Sequence, residues 1–143
     1  MTGVQTCALP ILPEHLARLR AADLFLDTFP YNAHATALDA LWAGLPMLTY
    51  PGEGFASRVA ASLLRSLGLP EVIAGSLSEY EETAVNLATD SSRLGRIRGL
   101  LAGKKRAGAR LFDTPRFTRD LEAAYAAVHN RYQEGLPPDH VKL

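Results

Sequence analysis

The chain is poor in the residues that build redox or metal centres. Its one cysteine, Cys7, gives no evidence for metal binding, redox chemistry or compartment, and its four histidines lack the paired spacing of a metal-binding helix. No Asp-x-Asp pair is available for a divalent cation. Net charge is also missing: 15 basic and 15 acidic residues cancel and no long run of either sign occurs, which argues against nucleic acid or an anionic membrane as partner. No apolar stretch approaches the roughly 20 residues that a membrane span requires, so the chain reads as soluble. The first residues lack the basic start, long apolar centre and small-residue cleavage site of a secretory signal. Internal repeats and low-complexity segments are absent as well.

What remains is material for one compact domain. The 143 residues are 48% hydrophobic, enough to bury roughly two-thirds of the unfolded surface. Pro13 opens a short helix with Leu16 and Leu19 on one face. Short apolar runs at Leu24 to Leu26, Met47 to Thr49 and Val72 to Ala74 read as strands, the first two buried neighbours. Between them lie helical patterns at Thr36 to Ala43, ended by Gly44 and Pro46, and at Ala56 to Leu67, where Val59, Ala60, Leu63, Leu64 and Leu67 share a face. Ser78 with Glu81 and Glu82 resembles a capped helix start, with Tyr80, Ala84 and Leu87 facing inward, and Ser91 or Ser92 begins another helix that ends in the basic GKKRAGAR segment. A long terminal helix from Thr118 to about Tyr132 carries Leu121, Tyr125, Val128 and Tyr132 as an apolar stripe that reads as core, and a proline-limited tail follows Gly135. Strand, loop and helix in alternation predict an α/β fold with a parallel sheet, whose ligands collect beyond the carboxyl ends of the strands.

The segment Ala22 to Gly44, ADLFLDTFPYNAHATALDALWAG, delivers a polar loop from such a strand onto a helix start. His34, Ala35 and Thr36 fall at the helix mouth, where backbone N–H groups lack internal partners and the macrodipole favours an anion. Asp39, a turn further on, suits a sugar hydroxyl and suits a phosphate badly. A plainer account is available: Asn32 as a turn residue, Thr36 or Asn32 as a cap, His34 as a surface imidazole and Asp39 as a dipole-complementing carboxylate. On the local pattern alone the plainer account is the stronger. His129 and His140 read as solvent-exposed.

The motif N-x-H-x-T-x-x-D-x-L-W-x-G resembles the nucleotide-sugar-binding segment of the O-linked N-acetylglucosaminyltransferases, including the bacterial SPINDLY-like enzymes. PEHLARLRAADLFLDTFPYNAH, GLPMLTYPGE, ASRVAASLL, LFDTPRFTRDLEAAY and a closing PPDH follow that family's order over nearly everything after Leu12. The resemblance implies the C-terminal part of a Rossmann-like half of a glycosyltransferase-B fold, with a parallel sheet, flanking helices and a long C-terminal helix. It implies a cytoplasmic enzyme that transfers N-acetylglucosamine from its uridine diphosphate donor to Ser or Thr of a polypeptide, without a metal or other cofactor. By the same matching His34, Ala35 and Thr36 align with the diphosphate loop, Asp39 with the ribose-binding carboxylate and His15 with a histidine beside the uracil. The principal catalytic residues and the acceptor-binding region would precede this segment, leaving the isolated chain inactive. Ala35 and Gly54 depart from the family's threonines. Two alternatives therefore stay open: a related transferase using GDP-fucose or UDP-glucose, and a non-catalytic nucleotide-binding or protein-interaction module. Residues 1–11, MTGVQTCALPI, resemble a translated sequencing adapter, so the native domain is expected to occupy residues 12–143.

Overall fold

The computed structural model describes residues 12–141, so the expectation for residues 1–11 falls outside the described part of the chain. Helix α1 (Leu12–Leu19) leads to strand β1 (Phe25–Leu26), helix α2 (Ala35–Ala43) and strand β2 (Met47–Leu48). Helices α3 (Val59–Ser66), α4 (Leu77–Thr89), α5 (Ser91–Arg106) and α6 (Thr114–Gln133) complete the order, with short 3-10 turns at Phe55–Ser57, Pro70–Val72 and Arg110–Phe112. The architecture is the expected α/β arrangement: a small parallel sheet, flanking helices and a long C-terminal helix.

Strands β1 and β2 pair in parallel, Phe25 with Met47 and Leu26 with Leu48, and Thr49 bridges in parallel to Ile73. The third apolar run thus contributes a single bridge instead of a strand. Met47 and Leu48 are fully buried because β2 lies between β1 and the Ile73 bridge. The first run is not buried as expected: Phe25 is half-buried and Leu26 is 53% exposed. The physical reason is position. Among the described residues β1 is an edge strand, and since successive strand side chains point to opposite faces, Phe25 packs on the core while Leu26 turns away from it.

The core forms where the helices close over β2. Ala37 and Leu41 of α2, Ala60 and Leu64 of α3, Leu87 of α4, and Ile97 and Leu101 of α5 are each at most 1% exposed and join Met47 and Leu48 in one cluster. Helix α3 begins at Val59, later than the expected Ala56, and Ala60, Leu63, Leu64 and Leu67 of the expected face meet the core while Val59 lines an open cavity; Tyr80 and Ala84 pack inward beside Leu87. Gly44 ends α2 at φ 87°, where a side chain would clash with the backbone, and its N–H caps Leu41.

Helix boundaries differ from the sequence expectation where capping chemistry was misassigned. Helix α4 is capped by Ser76, not Ser78: the Ser76 hydroxyl accepts from Glu79 N at 3.1 Å while Glu79 Oε2 accepts from Gly75 N at 2.8 Å. Helix α5, by contrast, starts at Ser91 as expected, with the Asp90 carboxylate accepting from Ser92 N and Arg93 N. Helix α6 starts at Thr114, since Asp113 accepts from Arg116 N and Pro115 sits in the first turn, where its missing N–H is harmless. Its apolar stripe is not core. Tyr125 is 67% and Tyr132 77% exposed, and no α6 residue is buried, because the helix leaves the core after packing on the 110–112 turn. Periodicity reports that a face is apolar and says nothing of what meets it.

Candidate functional site

The polar loop between β1 and α2 is built around one buried carboxylate. Asp27 follows β1 directly, its N–H donating to Leu48 O at 3.0 Å, and it is 2% exposed. Its Oδ1 accepts from Thr28 N at 3.0 Å and Ala33 N at 2.7 Å, and its Oδ2 accepts from the Thr49 hydroxyl at 2.6 Å. The Tyr80 hydroxyl donates to the Asp27 carbonyl at 2.8 Å. Burial, and then the nearby Asp27 charge, push the Tyr80 phenol above its ordinary value. Within the loop, Asn32 Nδ2 donates to Thr28 O at 2.7 Å and Tyr50 O at 3.4 Å, and Asn32 N donates to Ala56 O at 3.0 Å.

This loop presents an uncapped helix mouth. His34 occupies the N-cap position of α2 with no side-chain cap, and the first bond in the helix runs from Leu38 N to His34 O at 3.1 Å. The N–H groups of Ala35, Thr36 and Ala37 therefore precede the helical ladder. Ala35 and Thr36 are exposed at this end. The capping alternative does not describe the local structure, since Asn32 spends its side-chain amide on Thr28 and Tyr50 and neither Asn32 nor Thr36 caps the helix. His34 is half-buried and tightly placed: its Nε2 donates to Ala56 O at 3.2 Å, Tyr31 stacks on its ring at 4.9 Å, and Phe55 meets it edge-on at 5.9 Å. Because a carbonyl only accepts, this bond places a proton on Nε2.

Asp39 lies one turn inside α2 and is brought to His15 of α1, with Oδ2 3.5 Å from His15 Nε2. Arg18 Nη2 approaches His15 Nδ1 at 3.2 Å. A guanidinium only donates, so Nδ1 accepts and the ring N–H faces Asp39. The structure thus joins His15 with Asp39 across two helices, and His34 with Ala35 and Thr36 at the mouth. Beside Asp39 lies an open cavity of about 310 Å³, walled by Leu16, Leu38, Trp42 and Phe112. A second, of about 360 Å³, is walled by Phe55, Arg58, Val59 and Leu63, so Phe55 links it to His34. His129 and His140 are exposed, as the sequence suggests.

Sequence reasoning missed Asp27, Arg18 and the aromatic pair Tyr31 and Phe55. Asp27 had a signal, a carboxylate immediately after an apolar run, and Arg18 had one in its three-residue spacing from His15 on a helix. The convergence of Tyr31 and Phe55 on His34 depends on the loop from Pro51 to Ala56, which has no periodic signature.

The profile of a family described as Glycosyl transferase family 41 matches residues 7–121. The UDP-N-acetylglucosamine--peptide N-acetylglucosaminyltransferase of Caenorhabditis elegans is 41% identical, over 90% of this chain and 11% of its own length. The Arabidopsis thaliana protein named Probable UDP-N-acetylglucosamine--peptide N-acetylglucosaminyltransferase SEC is 43% identical over 91% of this chain and 13% of its own length. The solved structure of a mutant Thermobaculum terrenum O-GlcNAc transferase superposes with a TM-score of 0.73 at 36% identity, covering 82% of this chain and 22% of that one. The chain thus spans 11–13% of the length of these two curated relatives. With a family match over residues 7–121 and a fold shared with that solved structure, the chain belongs to glycosyl transferase family 41, a glycosyltransferase family.

Proposed function

We propose that this chain is the nucleotide-binding part of a longer protein O-linked N-acetylglucosaminyltransferase, and that it holds the UDP moiety of UDP-N-acetylglucosamine. The observation that carries the reading is the α2 mouth: three N–H groups ahead of the helical ladder, no side-chain cap, and His34 fixed beside them. A diphosphate docked there meets amides and the positive end of the helix dipole, with the Thr36 hydroxyl adding a donor. Since Nε2 of His34 serves the Ala56 carbonyl, His34 donates to a phosphate oxygen through a protonated Nδ1. Asp39 accepts from the ribose, and His15 lies beside it for the base. Ala35 keeps its N–H where the family's threonine adds a hydroxyl, so phosphate binding survives in weaker form.

In the proposed reaction the bond from the sugar's anomeric carbon to the diphosphate oxygen breaks and a bond to the Ser or Thr oxygen of a polypeptide, held by residues outside this chain, forms, releasing UDP and the hydroxyl proton. Negative charge grows on the departing diphosphate, and donors fixed at the α2 mouth stabilise it more in the transition state than in the ground state. That is electrostatic catalysis by peptide groups, in which no metal is invoked.

Calorimetric titration with UDP tests the reading. His34→Ala and Thr36→Ala each remove a phosphate donor and Asp39→Asn weakens the ribose contact; each loss should cost about 1.5–3 kcal/mol of binding. Unchanged isotherms for all three variants would refute it.

A further inference from the structure

We propose that Asp27 is a positioning residue for the anion-binding mouth of α2; the consequence for ligand binding rests on the nucleotide reading above, while the positional claim is separately measurable. Asp27 is well placed to aim the mouth. Its backbone is tied to β2 through Leu48, and its carbonyl is tied to α4 through Tyr80, so it moves with the core. One carboxylate oxygen, Oδ1, holds both ends of the 28–33 loop, Thr28 N and Ala33 N. Ala33 is the last residue before the N-cap residue His34, so any displacement of Ala33 is passed to His34, Ala35 and Thr36.

The choice of a carboxylate at this point has a physical reason. All three neighbours are donors, two amides and the Thr49 hydroxyl, and an ionised carboxylate only accepts. Burying the charge is costly unless such donors surround it, and among the described residues no Lys, Arg or His forms an ion pair with Asp27. Charge-assisted bonds are shorter and stronger than neutral ones, as the 2.7 Å and 2.6 Å contacts to Ala33 and Thr49 illustrate. The buried charge therefore acts on loop geometry. Both oxygens are committed to protein donors, so Asp27 works through His34 and the α2 amides and touches no ligand itself.

Amide hydrogen exchange and UDP titration on the full chain test the proposal. In the unaltered chain the Ala33 amide should be protected like the ladder amide of Asp27; free exchange at Ala33 would overturn the claim. Asp27→Ala should speed Ala33 exchange and weaken UDP binding, each at least about tenfold. Asp27→Asn, which keeps an acceptor for the two amides and offers its NH2 to the Thr49 oxygen, should restore UDP affinity to within about threefold of the unaltered chain. A lowered thermal midpoint with undiminished UDP affinity in Asp27→Ala would mark a purely structural residue and refute the proposal. Should that variant not fold, Thr49→Val decides: releasing Oδ2 should quicken Ala33 exchange and weaken UDP about two- to fivefold, and no change in either would refute it. Absence of UDP binding by the unaltered chain defeats the nucleotide reading alone, and Ala33 exchange in the variants still decides the clamp.

Discussion

Replacing Tyr80 by Phe isolates the bond that ties α4 to the end of β1. The hydroxyl donates to the Asp27 carbonyl at 2.8 Å, and the ring meets Phe29 edge-on at 5.7 Å, a contact that Phe retains. The loss is therefore one hydrogen bond in a partly buried setting, worth about 0.5–1.5 kcal/mol, with no cavity contribution. For a chain of this size that lowers the thermal midpoint by about 2–6 °C at pH 7. Alkaline pH gives a second, signed test. The phenol is held above its ordinary value by burial and by the Asp27 charge, so the folded chain keeps this proton at pH values where the unfolded chain releases it. The stabilisation is complete below the unfolded value and is lost as pH rises through the folded value. Tyr80→Phe lacks that loss, so the stability gap between the two proteins should narrow above about pH 10. Urea denaturation across pH 7 to 11 measures both effects. Equal stability at pH 7, or a gap that stays constant through the alkaline range, would refute the reasoning.

Two further outcomes concern the core and the exposed helix. Leu64→Ala removes a fully buried side chain from the centre of the cluster and should cost about 2–5 kcal/mol by urea denaturation; a cost below about 1 kcal/mol would show that α3 does not organise the core. The double replacement Tyr125→Ser and Tyr132→Ser on α6 touches side chains that are 67% and 77% exposed, so stability by urea denaturation should change by less than about 0.5 kcal/mol per site. A large drop in stability would show that this face is packed after all.

Much of the fold was legible because short chains of apolar residues and helix periods are local properties. The β1–α2–β2 order, the inward faces of α3 and α4 and the stop at Gly44 all follow from spacing and turn chemistry. What sequence could not supply was the identity of neighbours. Leu26 and the Tyr125–Tyr132 stripe carry the pattern of core residues, yet their exposure depends on which surfaces pack against them. Caps were misplaced for a related reason: Ser76 and Ser78 are both plausible by type, and only the reciprocal bond between Gly75 and Glu79 selects Ser76. At the site, the motif located the helix mouth correctly, since a loop-to-helix boundary is local. The Asp27 clamp joins residues 22 positions apart through Thr49 and 53 apart through Tyr80, contacts that no local pattern encodes.

The central claim is that phosphate sits on the α2 amides, and the most direct measurement compares UDP with uridine by amide chemical shifts in isotope-labelled chain. UDP should move the Ala35 and Thr36 resonances strongly and uridine should leave them nearly unmoved, because only the diphosphate reaches the helix mouth. Equal shifts from both compounds, or UDP binding that leaves Ala35 and Thr36 untouched, would contradict the account.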